Sequence, residues 1–180
     1  MERILLFLDI EGVLSVPGFE PKEQLPHKST STIYPVQGAR QFLETIECSP
    51  WIKPFWISSW GQKSTMWNEW SKTRHWSVAY PLSLVQQLMA QIQFPTNETD
   101  GKLQAARWHS RKWKTQIVWI EDGFSSQAKD WATQNPKVQL IDTYPSFRSS
   151  SRGWRTGIRQ WNINLICNAL NLQETIEVST

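Results

Sequence analysis

The chain has few cysteines, and its apolar runs are short. Only Cys48 and Cys167 occur among 180 residues, too few for a disulfide framework, so we expect two free, buried thiols. No apolar stretch approaches the roughly 18 residues that a membrane-spanning helix needs. The N-terminal apolar run is flanked by Glu2 and Asp9 and lacks a small-residue cleavage site, which argues against a signal peptide. We therefore expect a cytoplasmic protein.

Several signatures of specific chemistry are also missing from the sequence. It contains neither a CxxC pair nor an HExxH segment, which argues against a zinc site. There is no glycine-rich phosphate loop of the Walker or dinucleotide-binding type. None of the three histidines, His27, His75 and His109, lies in a sequence context that is typical of a serine or cysteine nucleophile with its base. These absences argue against a zinc site and against the Walker and dinucleotide-binding types of phosphate loop.

The composition is that of an ordinary globular protein with a mild positive charge. Hydrophobic residues make up 39% and charged residues 19% of the chain, so disorder is not expected. At 180 residues, splitting the chain would leave two marginal cores, and we predict a single domain over 1–180. The net charge of +3 permits an anionic partner without requiring one. The twelve tryptophans are expected mainly in the core.

Apolar runs and helical patterns alternate along the chain. Strands are predicted at Ile4–Leu8 and in the segments "IKPFWISSW", "TQIVWIEDG" and "KVQLIDT". Helices are predicted in "VQGARQFLETIEC", in "QKSTMWNEWSKTRHW", from Lys102 to about Lys112, and in "SSQAKDWATQN". A final helix is predicted at the end of the chain, marked by Ile158, Trp161 and Leu165. This alternation predicts an α/β fold with a doubly wound, mainly parallel sheet.

Two segments look like additions to this plan. Residues 15–35 contain four prolines and a Ser/Thr cluster, which indicates a flap or short insertion. Residues 61–101 offer helical cover at most. Neither is long enough for a separate cap domain, so we expect a minimal cap and an open site.

Polar residues lie at the ends of the predicted strands and at the start of one helix. In an open parallel sheet, the carboxyl ends of the strands form one edge, where ligands bind. Unpaired buried charge is too costly for a core, and a hard cation such as Mg²⁺ prefers oxygen ligands and tolerates several waters. The residues expected at this edge are Asp9, Glu11, Ser58, Lys102, Glu121 and Asp122.

Four segments in this order resemble the four motifs of the haloacid dehalogenase-like (HAD) phosphatase superfamily. They are "FLDIEGVL", "FWISSW", "GKLQAARW" and "VWIEDG", within residues 4–123. The chain looks most like the small HAD domains of bacterial proteins and of predicted RNA-repair proteins. The resemblance implies a HAD-like Rossmannoid fold and a Mg²⁺-dependent phosphomonoester hydrolase.

The resemblance also implies roles for individual residues. Asp9 would attack phosphorus and form an aspartyl-phosphate, a recognised form of covalent catalysis. Ser58 would hydrogen-bond the transferring phosphoryl group, and Lys102 would offset the charge of the nucleophile and that group. Lys112 and Lys114 are competing lysines, although neither opens a helix before the third strand.

The same resemblance implies a Mg²⁺ site and identifies one departure from the family. Asp9 and Asp122 would bind the ion together with Glu11, through its backbone carbonyl, and Glu121, through water. The family's phosphatases usually carry Asp at the position of Glu11, where it is the general acid. Glu has a similar pKa but reaches one methylene further. A misplaced acid would leave a slow phosphatase.

The sequence is compatible with two hypotheses about the substrate and the partners. In the first, the chain hydrolyses a phosphorylated small molecule, a nucleotide or the terminal phosphate of a nucleic acid. In the second, it is a catalytically weak or inactive HAD-like domain that binds nucleic acid or a protein partner. Basic residues interleaved with Trp108 and Trp113, and a second cluster around Trp154, suit single-stranded nucleic acid.

Overall fold

Five parallel strands form the central sheet of the computed structural model, in the order β5-β4-β1-β6-β7. The structure describes residues 3–17, 33–36, 38–80, 98–143, 158 and 160–172. Along the chain the elements are β1 (Ile4–Leu8), β2 (Ser15–Pro17), β3 (Ile33–Pro35), α1 (Ala39–Glu47), β4 (Ile52–Trp56), a 3₁₀ helix (Gly61–Thr65), α2 (Met66–Ser71), β5 (Ser77–Val78), α3 (Glu98–Ser110), β6 (Gln116–Glu121), α4 (Ser126–Gln134), β7 (Val138–Asp142) and α5 (Gln160–Leu170). The prediction of an α/β fold with a mainly parallel sheet is confirmed.

Strand β1 lies at the centre of the sheet, with two strands on each side. After β1 the chain adds β4 and β5 on one side, and then returns to place β6 beside β1 and β7 beyond it. All five residues of β1 are buried, as expected for a strand that is covered on both faces. The carboxyl ends of β1 and β6 are therefore neighbours, in the region of a parallel sheet where ligand sites form.

Helices cover both faces of the sheet because alternate residues of each strand point to opposite sides. Leu6 of β1 belongs to a core that also contains buried residues of α1, α2 and α5. Phe7 belongs to a second core, with buried residues of α3 and α4. Trp56 and Trp119 are fully buried, one in each core, as predicted for the tryptophans of the strands.

Several sequence predictions about helices and cysteines were wrong in detail. The helix predicted from residue 62 to 76 is a 3₁₀ turn followed by the short α2, which ends at Ser71 and is followed by Lys72, where φ is 57°. Helix α3 begins at Glu98, so Lys102 is not its first residue. The final helix is present, but Leu165 is 47% exposed, because the buried side of α5 carries other residues of that helix. Cys167 is buried and Cys48 is exposed, and neither forms a disulfide bond.

The structure describes only parts of the two predicted additions. The segment 15–35 begins and ends in an antiparallel pair, β2 with β3, and residues 18–32 lie outside the described residues. Within 61–101, Trp67 and Trp70 of α2 pack into the first core, while 81–97 lie outside the described ranges. The single domain over 1–180 stays a prediction.

No helix in the described part of the chain combines the length and apolar character needed to cross a bilayer.

Candidate active site

Asp9 lies directly after β1, in a turn that is fixed by backbone hydrogen bonds. The Asp9 amide donates to the carbonyl of Ile120 on β6 at 3.1 Å, which extends the pairing of the two strands by one residue. The carbonyl of Ile10 then accepts bonds from the Leu14 and Ser15 amides, both at 2.9 Å. The Asp9 side chain is only 2% exposed, so its carboxylate is held in a buried position at the edge of the sheet.

Lys102 reaches from α3 into this position and joins two carboxylates. Its Nζ lies 3.2 Å from Asp9 Oδ2 and 2.9 Å from Glu121 Oε1. All three residues are at most 5% exposed. The ammonium group therefore offsets part of the negative charge of two buried carboxylates, which would otherwise be strongly unfavourable.

Glu121 is the last residue of β6, and the strand geometry directs its side chain toward α3. Residues two apart share a face of a strand, and Trp119 is packed in the core that includes Leu103 of α3. Trp119 Nε1 donates to Glu121 Oε2 at 3.3 Å. Burial, and then the negative charge of Asp9, raise the pKa of Glu121 well above its ordinary value, and the ammonium of Lys102 opposes this rise only in part.

Asp122 follows the strand and lies against the loop after β1. Gly12 has a φ of +73°, and a Cβ atom at this position would overlap the carboxylate of Asp122. Glycine is therefore needed at residue 12 both for the left-handed backbone and for the approach of Asp122. Side-chain oxygens of Asp9, Glu121 and Asp122 all lie within 4.8 Å of one another.

The donors at this edge fit a hard divalent cation. They are all carboxylate oxygens, the class that Mg²⁺ binds in proteins. Asp9 Oδ1 is buried and has no hydrogen-bond partner in the structure as described, which is the state expected of an oxygen that awaits a cation. Three carboxylates beside one ammonium also leave an excess of negative charge. Asp9, Asp122 and Glu121 are therefore the residues that would hold the ion.

Ser58 and Glu11 lie on neighbouring loops at the same edge. Leu8 of β1 and Trp56 of β4 are paired in the sheet, and Ser58 follows Trp56 by two residues. Ser58 is fully buried. Its Oγ accepts a hydrogen bond from the Trp60 amide at 3.4 Å. Glu11 is half-buried, and its carboxylate accepts from Ser59 Oγ at 3.5 Å. The carboxylate of Glu11 does not belong to the group of three formed by Asp9, Glu121 and Asp122.

Sequence reasoning missed Thr143, which ties the converging loops together. This buried residue directly follows β7, and its Oγ1 donates to the carbonyl of Gly12 at 2.9 Å and lies 3.3 Å from that of Glu121. The Thr143 amide also donates to the Glu121 carbonyl at 2.9 Å. The signal was available, because Thr143 is a polar residue at the carboxyl end of a strand, like the residues that were selected.

Comparisons of the chain with protein-family models, curated proteins and solved structures give no match.

Proposed function

We propose that the chain is a Mg²⁺-dependent phosphomonoester hydrolase of the HAD-like type, with Asp9 as its nucleophile. The observation that carries this proposal is the buried Asp9 carboxylate: one oxygen is paired with Lys102, and the other lacks a partner in the described structure. Such a carboxylate is fixed in position, partly neutralised and free at one atom. Those are the properties that a carboxylate nucleophile requires.

In the first half of the reaction, a carboxylate oxygen of Asp9 forms a bond to phosphorus, and the bond from phosphorus to the leaving oxygen breaks. Lys102 offsets part of the negative charge of Asp9 and the incoming dianion, and Glu121 positions Lys102 through the contact at 2.9 Å. Ser58 is the hydroxyl available to the transferring phosphoryl group. When Mg²⁺ is bound, it supplies neutralisation of the phosphoryl oxygens, the main requirement of phosphoryl transfer.

In the second half, water attacks phosphorus and the bond to Asp9 breaks, which releases inorganic phosphate. Glu11 is the candidate acid and base: it gives a proton to the leaving oxygen first and then takes one from the attacking water. Its side chain is half-buried and contacts Ser59 Oγ, so it is accessible from the loop side of the edge. We place the chain among HAD-like proteins with a minimal cap and an open site.

The proposal is tested with p-nitrophenyl phosphate, measured with MgCl₂ and with EDTA. We expect hydrolysis only with MgCl₂, and loss of activity to the level of buffer in Asp9→Asn. Asp130→Asn is the matched control, because Asp130 is exposed on α4 and should retain the wild-type rate. Full activity of Asp9→Asn would refute the proposed role of Asp9.

A second measurement separates a slow enzyme from a wrong site. Beryllofluoride mimics a phosphoryl group on a carboxylate, so the wild-type protein should form a stoichiometric, Mg²⁺-dependent complex, seen by fluorine NMR. Asp9→Asn should form none. A complex without measurable hydrolysis would indicate a domain that binds phosphoryl groups with little turnover, which is the alternative that Glu11 leaves open.

A further inference from the structure

A cavity of about 560 Å³ opens at the opposite edge of the sheet from Asp9. It lies where α3 ends and where β6 and β7 begin, and its walls include Thr115 and Val138. A volume of this size is within the range of sites for small ligands, roughly 300–1,000 Å³. The cavity is thus large enough for a nucleotide-sized molecule.

The walls of this cavity are strongly basic. Arg107, Arg111 and Lys137 line it, and none of the residues lining it is an aspartate or glutamate. Among the ion pairs of the described residues, none involves these three side chains. Lys137 Nζ donates to the carbonyl of Lys114 at 2.9 Å, which holds it at the rim while its charge stays unneutralised. The cavity therefore presents three cationic side chains to an anionic group.

Two indole rings complete the cavity. Trp113 is half-buried and packs against the second core, and Trp131 is almost fully buried. The guanidinium carbon of Arg107 lies 5.9 Å from the centre of the Trp131 ring, so this arginine is held over an aromatic face. Trp113, which keeps part of its surface exposed in the cavity, is the ring on which a flat ligand would stack.

The cavity is separate from the cluster around Asp9. Lys102 lies in the first half of α3 and Arg111 directly follows its last residue, nine positions further along, which corresponds to about 14 Å at 1.5 Å per residue. Thr115 directly precedes β6 and Glu121 is its last residue, so the two lie about 20 Å apart at about 3.3 Å per residue. Occupation of the cavity thus involves none of the residues assigned to phosphoryl transfer.

We propose that this cavity binds a nucleotide unit, with its base stacked on Trp113 and its phosphate facing Arg107, Arg111 and Lys137. An aromatic platform beside cationic side chains is the combination that binds single-stranded nucleic acid, and the absence of carboxylates from the lining favours a phosphate. The same chemistry occurs in a free mononucleotide and in a single-stranded chain. The proposal does not depend on hydrolysis at Asp9.

The test measures binding of a fluorescein-labelled oligouridylate by fluorescence anisotropy at low salt, with unlabelled AMP, ribose 5-phosphate, inorganic phosphate and polyglutamate as competitors. Trp113→Leu should weaken binding by roughly 5- to 150-fold, the loss expected for one stacked base. Trp113→Phe keeps an aromatic face and should restore most of the affinity. Circular dichroism spectra and melting curves identify any variant that fails to fold.

A second pair of variants tests the charge in the cavity against general surface charge. Arg111→Gln and Lys112→Gln each remove one positive charge from adjacent positions, but only Arg111 lines the cavity. Arg111→Gln should weaken binding and reduce the slope of log Kd against log salt by about one. Lys112→Gln should leave both nearly unchanged, and Asp9→Asn should bind like the wild type.

Each outcome decides for or against the proposal. Competition by AMP, but much less by ribose 5-phosphate, would support the site and identify a mononucleotide as sufficient. Binding of the oligonucleotide without competition by AMP, still lost in Trp113→Leu, would support it with single-stranded nucleic acid as the source. The proposal is overturned if no binding occurs, if polyglutamate competes as well as the nucleotides, or if Lys112→Gln matches Arg111→Gln.

Discussion

Replacing Lys102 by methionine removes the ammonium group that contacts both Asp9 and Glu121 and keeps most of the length of the side chain. In the wild-type protein, Nζ contacts both carboxylates, at 3.2 and 2.9 Å, in a position that is 5% exposed. Breaking a buried charge pair from one side costs about 3–5 kcal/mol, because the remaining charge stays buried without a partner. For a protein of this size, each kcal/mol lowers Tm by about 2–4 °C. We therefore expect a Tm lower by about 6–20 °C in EDTA.

The measurement is thermal unfolding followed by far-UV circular dichroism, for the wild type, Lys102→Met and Lys129→Met. Lys129 is exposed on α4, so its replacement should change stability by no more than about 0.5 kcal/mol. Each protein is melted in EDTA and in excess MgCl₂. If Lys102→Met unfolds at the same temperature as Lys129→Met in EDTA, the ammonium does not stabilise the acidic cluster, and the electrostatic reasoning is wrong.

The response to Mg²⁺ is a separate part of the same experiment. An ion present at about 100 times its Kd stabilises the folded state by about 2.7 kcal/mol. Without the ammonium, Asp9, Glu121 and Asp122 carry more uncompensated charge, so the ion should bind more tightly and raise Tm further than in the wild type. A MgCl₂-induced rise that is smaller in Lys102→Met would contradict the assignment of these carboxylates to the cation.

Three further predictions concern single residues. Gly12→Ala should lower the free energy of unfolding by about 1–2 kcal/mol, because residue 12 has a left-handed backbone. Its Cβ atom would also displace Asp122, so the variant should lose the Mg²⁺-induced rise in Tm. Gly123→Ala is the control and should keep that rise, because residue 123 also has a positive φ but has open space around the added Cβ atom. Glu11→Ala should lower kcat by about 10²–10⁴-fold and Glu11→Asp should preserve most of it; equal rates in steady-state assays would exclude Glu11 as the acid. Burial lowers the pKa of His109 below 6.5. Folding therefore favours the neutral form of His109. The contribution of His109 to the free energy of unfolding, measured with urea, should be complete above pH 6.5 and decrease below it. In His109→Gln this decrease should be smaller.

The sequence was informative about the fold wherever an element had a strong and simple pattern. The continuous apolar run Ile4–Leu8 predicted a strand covered on both faces, and β1 is completely buried at the centre of the sheet. The sequence was less informative about the length of elements that have no such simple pattern. Residues 62–76 suggested one long helix, yet Lys72 adopts a left-handed conformation that ends α2 early. Trp67 and Trp70 of this short helix are both buried in the first core, and periodicity alone does not show where such a helix ends.

The candidate site was predictable as a set of residues but not as an arrangement. Because parallel strands share a carboxyl edge, sequence reasoning selected Asp9, Lys102 and Glu121 from distant segments, and the structure places their charged groups in contact. The approach of Asp122 to Gly12 and the bond from Thr143 to the Gly12 carbonyl depend on tertiary packing. No local pattern specifies such contacts between segments so far apart in the chain.

The adjacent residues Glu121 and Asp122 make different contacts, because Glu121 lies in the strand and Asp122 follows it. Glu121, the last residue of β6, shares a face with Trp119 and so contacts Lys102 on α3. Asp122 instead lies against the glycine of the β1 loop. A neutral Gln at 121 would therefore mainly loosen the ammonium that pairs with Asp9, whereas a neutral Asn at 122 would mainly remove a ligand from the proposed Mg²⁺ site. Neighbouring acidic residues in such a turn are thus not interchangeable, and the strand end determines which of them positions the lysine.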